Sequence, residues 1–182
     1  LATGFSVPAS AYSQVLIRPA TQWGYVYGAP ATSNQQSPAP KVANLEKKAK
    51  FIVKYNNFPE WTKLQVQSAI DVWAANFESK VPIYVEATWG RSPSASVLGS
   101  ARPGNYFANF PSAPDPSLWY PSALANALAG KDLDGDNAEI VINVNSAATW
   151  YRGGGTGPNR FEFDLESVIL HEMAHGLGFL SN

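Results

Sequence analysis

Residues 164–182 read DLESVILHEMAHGLGFLSN, and they hold both histidines of the chain, His171 and His175, with Glu172 between them. The stretch predicts a helix. Asp164 or Ser167 favours its start, and the carboxylates of Asp164 and Glu166 suit the positive end of the macrodipole. Gly176 or Gly178 supplies a left-handed residue to end it. On such a helix the two histidines lie one turn apart on one face, their Cβ atoms roughly 6 Å from each other. Leu170, Ala174 and Leu177 are expected to turn away from that face, into a core.

Two imidazoles so placed can converge on one ion at about 2.0–2.1 Å each, the Zn–N distance. Glu172 is rotated about 100° from His171, so it flanks the metal rather than binding it. Zn²⁺ lowers the pKa of bound water to about 7 and polarises a carbonyl. A carboxylate beside that water can take its proton and deliver it to a leaving amine, which makes Glu172 the candidate general acid/base. H-E-x-x-H on a helix is the sequence signature of zinc metalloproteases. Against a chance pair of histidines stands the fact that the chain has no others.

Upstream, the elements alternate. Residues 47–57 place Phe51, Val53 and Tyr55 against polar neighbours, predicting a half-buried strand. Pro59 opens a helix to about Ser79, with Val66, Ala69, Ile70, Trp73 and Phe77 as its buried stripe. Residues 83–89 read as a strand ended by Gly90, and residues 94–104 supply a further short strand. Residues 105–120, aromatic and broken by proline, are expected to be irregular. Residues 121–130 fit a short helix with Pro at its start and Gly past its end. AEIVINVNS, residues 138–146, is the clearest strand. The domain organisation predicted is an extended, Pro/Ser-rich arm and linker over residues 1–43, and a domain over residues 44–182. In the arm, residues 14–17 and 23–27 are β-like, and residues 28–40 read as linker or exposed loop. The arm is either packed on the domain or the tail of a preceding region.

Composition narrows the function classes. Forty-five per cent of residues are hydrophobic, enough for one sizeable core. The net charge of −1 gives no basic footprint for nucleic acid, so no nucleic-acid partner is expected. No stretch approaches the ~20 apolar residues of a membrane span. The absence of cysteine excludes thiolate metal ligands. In KDLDGDNAE, the carboxylates of Asp132, Asp134, Asp136 and Glu139 are candidate ligands for Ca²⁺, a hard ion that takes six to eight oxygens. Gly135 is misplaced for an EF-hand, and a solvated turn explains the run equally.

HEMAHGLGFLS resembles the active-site helix of zincin metallopeptidases. The glycine three residues after the second histidine matches the H-E-x-x-H-x-x-G pattern of metzincins. Residues 102–114, 118–130 and 142–151 are similar to bacterial, secreted metallopeptidase-like proteins. The resemblance implies an α+β fold with a zincin-like N-terminal subdomain: a twisted mixed sheet, a long backing helix and the active-site helix. It implies a secreted zinc-dependent metalloendopeptidase with His171 and His175 as zinc ligands. It also makes Ile140, Val141, Ile142, Asn143 and Val144 the edge strand that pairs with an extended polypeptide substrate. The sequence departs from the pattern at the third-ligand position, where Ser181 stands for the expected histidine or aspartate, and the chain's only methionine, Met173, lies inside the motif. Two expectations follow. Either the domain is truncated after the motif and the third ligand comes later, or Ser181 marks a chain whose metal is completed unusually or a catalytically degenerate zincin-fold binding module.

Overall fold

A computed structural model describes residues 14–28, 46–135, 137–153 and 157–180. Ser181 and Asp136 lie outside the described residues, as does nearly all of the expected linker.

The fold is α+β. Strands β1 (Leu16–Pro19), β2 (Gly24–Tyr27) and β3 (Phe51–Asn56) are followed by helix α1 (Glu60–Asn76). Then come β4 (Ile83–Gly90), β5 (Val97–Pro103), β6 (Asn105–Ala108) and β7 (Tyr120–Pro121). Helix α2 (Ser122–Ala129), β8 (Ile140–Asn145) and helix α3 (Leu165–Gly176) complete the order. A five-stranded sheet runs β2-β5-β8-β4-β3, and a three-stranded one runs β1-β6-β7. In the larger sheet β3, β4 and β8 are parallel, while β5 and β2 are antiparallel to their neighbours.

The edge-strand expectation is overturned. Residues Ile140, Val141, Ile142, Asn143 and Val144 do not form an edge strand: β8 bonds β4 on one side and β5 on the other. The reason is legible in its composition. Ile140, Ile142 and Val144 are buried in the core and Val141 is half-buried on the alternate side. A strand rich in β-branched residues suits a sheet interior, where neighbours on both sides satisfy its backbone groups. The edge beside α3 is instead β2, which pairs with β5 through Gly24↔Ala101, Tyr25↔Ser100 and Val26↔Gly99. Residues 105–120, expected to be irregular, contribute β6 and the start of β7. There β6 pairs with β1, so the described part of the arm is packed on the domain through both of its strands.

The main core lies between the large sheet and helices α1 and α3, and contains Val66, Ile70, Val85, Ile142, Ile169 and Met173. Helix α1 follows its apolar spacing, with Val66, Ala69, Ile70 and Ala74 buried. Trp73, one of the expected stripe, is only partly buried and donates its indole N–H to the Leu170 carbonyl at 3.0 Å, tying α1 to α3. Helix α2 ends as its sequence predicts, at Gly130 with φ of 65°. Among the described residues no helix is long and apolar enough to cross a membrane.

Candidate metal and catalytic site

Helix α3 starts where Asp164 caps it. The Asp164 carboxylate accepts from the Ser167 backbone N–H at 2.9 Å and from the Ser167 hydroxyl at 2.6 Å. Glu166 accepts a hydrogen bond from Ser68 on α1. Both acids therefore serve helix initiation and docking. The buried face of α3 is Leu165, Val168, Ile169, Met173 and Gly176, together with Glu172. Leu177 is in the core as expected, whereas Leu170 and Ala174 are only half-buried.

The helix ends in a Schellman arrangement. The Phe179 N–H bonds the Ala174 carbonyl at 3.0 Å, and the Gly178 N–H bonds the His175 carbonyl at 3.0 Å. Gly178 takes the left-handed turn with φ of 106°. Gly176 has a different role: a Cβ there would stand 2.3 Å from Ile140 Cγ2, so its lack of a side chain lets α3 lie close on β8.

His171 and His175 project on one face, with their Nε2 atoms 2.9 Å apart. Two nitrogens that share one ion at about 2.05 Å can stand no more than about 4.1 Å apart, so this pair can chelate. The Nδ1 of His175 lies 2.7 Å from the Phe179 carbonyl, which can only accept. That bond places the ring proton on Nδ1 and leaves the Nε2 lone pair free, the usual orientation of a metal-binding imidazole. Burial, and then the neighbouring His175, hold His171 below the ordinary imidazole pKa.

Glu172 is fully buried. Its Oε1 accepts from the Val26 backbone N–H of β2 at 3.2 Å. Its Oε2 has no hydrogen-bond partner among the described residues. Gly99 on β5 leaves room for the carboxylate, since a Cβ there would lie 2.8 Å from Oε1. Burial pushes Glu172 up to about 8, opposed in part by the Val26 N–H. A carboxyl titrating there can hold or release a proton near neutral pH, which suits general acid–base chemistry. Among the described residues no third histidine or carboxylate joins the two imidazoles within ligating distance.

A second group could hold a metal ion. Asp132, Asp134 and Glu139 each offer an oxygen, all within 4.8 Å of one another. Glu139 is almost wholly buried. Tyr84 N–H donates to its Oε2 at 2.6 Å and Asn126 Nδ2 to its Oε1 at 2.9 Å. Burial pushes it up to about 7. Asp134 is also raised by burial, and its Oδ1 is buried without a partner among the described residues. An open cleft of about 470 Å³ lies elsewhere, lined by Trp23, Tyr25, Thr88, Ser100 and Asn143; it touches neither histidine nor Glu172.

Sequence reasoning did not reach the Phe179 carbonyl or the Val26 N–H. Both are backbone groups, so residue identity carries no signal for them; the nearest clue was the glycine at 178. Comparison with protein-family models, curated proteins and solved structures finds no match.

Proposed function

We propose that the chain is a secreted zinc-dependent metalloendopeptidase in which His171 and His175 hold the ion and Glu172 is the general acid–base. The observation that carries this reading is the convergence of the two Nε2 atoms at 2.9 Å, with His175 oriented through Nδ1 by the Phe179 carbonyl. When bound, zinc supplies Lewis-acid polarisation of the scissile carbonyl and makes water a nucleophile near neutral pH. The chain's own part is orientation and proton transfer. Phe179 fixes the tautomer and aim of His175. Glu172 receives the proton of the attacking water and returns it to the departing amine. Burial around Glu172 strengthens each charge interaction in the site. The substrate is an extended polypeptide recognised by backbone hydrogen bonds at a sheet edge. Calcium at Asp132, Asp134 and Glu139 has a structural role in this reading, and the hard carboxylate oxygens support that ion over zinc.

A zincin-like binding module without catalysis is the second reading. It is favoured by the absence of a third ligand among the described residues and by the β2 backbone over Glu172.

Zinc titration followed by digestion of an unfolded protein separates the two. One zinc per chain is expected, lost in His171→Ala and in His175→Ala. Glu172→Gln is expected to keep the metal and abolish cleavage. No zinc at the pair overturns the metalloendopeptidase reading. Zinc without cleavage, in this chain and in the β2 variants described below, establishes the binding module.

A further inference from the structure

The side of β5 that faces away from β8 is already taken by β2. Strand β2 lies antiparallel on β5 in a four-residue ladder, extended by Gly28 N–H to the Ser96 carbonyl at 2.7 Å. Two contacts bring this segment onto the histidine helix, and its β5 partner adds a third. A Cβ on Gly24 would stand 2.1 Å from His175 Cγ and 2.5 Å from Nδ1, so the Gly24 backbone lies directly against the imidazole. Val26 donates its N–H to Glu172. Gly99, the partner of Val26 on β5, is the residue whose missing side chain leaves room for the Glu172 carboxylate.

We propose that β2 is a built-in occupant of the substrate-binding side of β5, a pseudo-substrate strand that covers His175 and Glu172 on that side until it is displaced by an extended polypeptide. This rests on the metallopeptidase reading for what that side is used for, though the occupancy itself is independent of catalysis. Backbone bonds supply most of the ladder, and any peptide can reproduce those. The side-chain hold is slight: Tyr25 and Tyr27 are 45% and 62% exposed, and Val26 alone packs partly into the core. A register shift between Val26 and Tyr27 breaks the ladder at its end. Short ladders with little apolar burial open before the rest of a domain does. The register also states what a displacing peptide requires. A glycine must sit over His175, and an apolar residue with a free N–H must follow two positions later. A proline at that second position could not serve, because it has no N–H for Glu172.

The test uses the full chain, Gly24→Ala and Val26→Pro, with a fluorescent peptide QWGYVYG, the sequence of residues 22–28, as probe. Gly24→Ala drives a methyl group into His175, and Val26→Pro removes the bond to Glu172. Both are expected to bind the probe at least tenfold more tightly than the unaltered chain, and a probe with proline in place of valine is expected to bind neither. Equal affinity for all three chains overturns the proposal. Should either variant fail to fold, hydrogen exchange on the unaltered chain decides. The Val26 amide is expected to exchange at least a hundredfold faster than that of Ile142 in β8. Exchange of both at the rate of global unfolding overturns the proposal. Neither readout requires zinc or cleavage. A variant that binds the probe and zinc yet cleaves no unfolded protein sinks the peptidase reading and leaves the occupied side of β5 standing.

Discussion

The carbonyl of Phe179 accepts the Nδ1 proton of His175 at 2.7 Å, four residues further along the chain. The bond exists because the helix stops in a Schellman turn at Gly178, which folds the chain back over the imidazole. The glycine of the motif thus positions the His175 ring as well as ending the helix.

Gly178→Ala tests that coupling. Its φ of 106° disfavours any side chain, and a Cβ would meet Pro121 Cγ at 2.7 Å. The substitution is expected to cost about 1–3 kcal/mol of stability. If the turn aims His175, zinc affinity falls as well, by about 10- to 100-fold, the usual effect of losing a partner behind a ligand. Denaturant midpoints and zinc titration on the same sample measure both. Lost stability with unchanged zinc affinity would show that the turn does not aim the ring.

Removal of the Glu172 carboxylate should separate binding from chemistry. Glu172→Gln preserves shape and burial, so zinc stoichiometry is expected to be unchanged. Cleavage is expected to fall by about 10²- to 10⁴-fold, the range of a lost general acid–base. The check is steady-state hydrolysis of a quenched peptide by a chain whose β2 strand has been released.

The acidic group makes a pH prediction. Burial raises Glu139 from 4.5 to about 7 in the folded chain. A carboxyl with a raised folded pKa binds more protons folded than unfolded, so its contribution favours folding at low pH. That contribution is complete below about pH 4.5 and is lost as pH rises through about 7. Without calcium, thermal stability is expected to decline across this window. Glu139→Gln is expected to flatten the decline, at a cost of about 1–2 kcal/mol for the hydrogen bond it disturbs. Melting curves from pH 4 to 8 would show it.

Calcium should reverse that slope if it binds there. A divalent ion among Asp132, Asp134 and Glu139 favours the ionised carboxylates, and Asp134 has a buried oxygen with no donor among the described residues. Millimolar calcium is expected to raise the melting temperature at pH 8 and to have little effect at pH 5. No shift at pH 8 would remove calcium from the account.

The central position of β8 has a mechanical consequence. Ile142 is buried between β4 and β5 at 1% exposure. Ile142→Ala is expected to cost about 2–5 kcal/mol, because the cavity cannot collapse in a strand bonded on both sides. A strand at an exposed edge would relax and lose less, so urea denaturation distinguishes the two.

Much of this protein is local in origin. The periodicity of α1, the Pro121 and Gly130 boundaries of α2, the Asp164 cap and the two histidines one turn apart follow from neighbours in sequence, which is why they could be read without coordinates. The chain also determined that β8 would be a strand, through its run of Ile140, Val141 and Ile142. It could not say where in the sheet that strand would lie. Strand order follows from which strands complete its backbone hydrogen bonds on either side, and those partners are as distant as β4 and β5. The same holds for β2: residues 23–27 looked extended, yet only tertiary pairing laid them on β5 against His175 and Glu172. Backbone groups decide both unforeseen contacts at the site, and every residue but proline carries the same N–H and C=O, so only the folded chain could select Val26 and Phe179 for them.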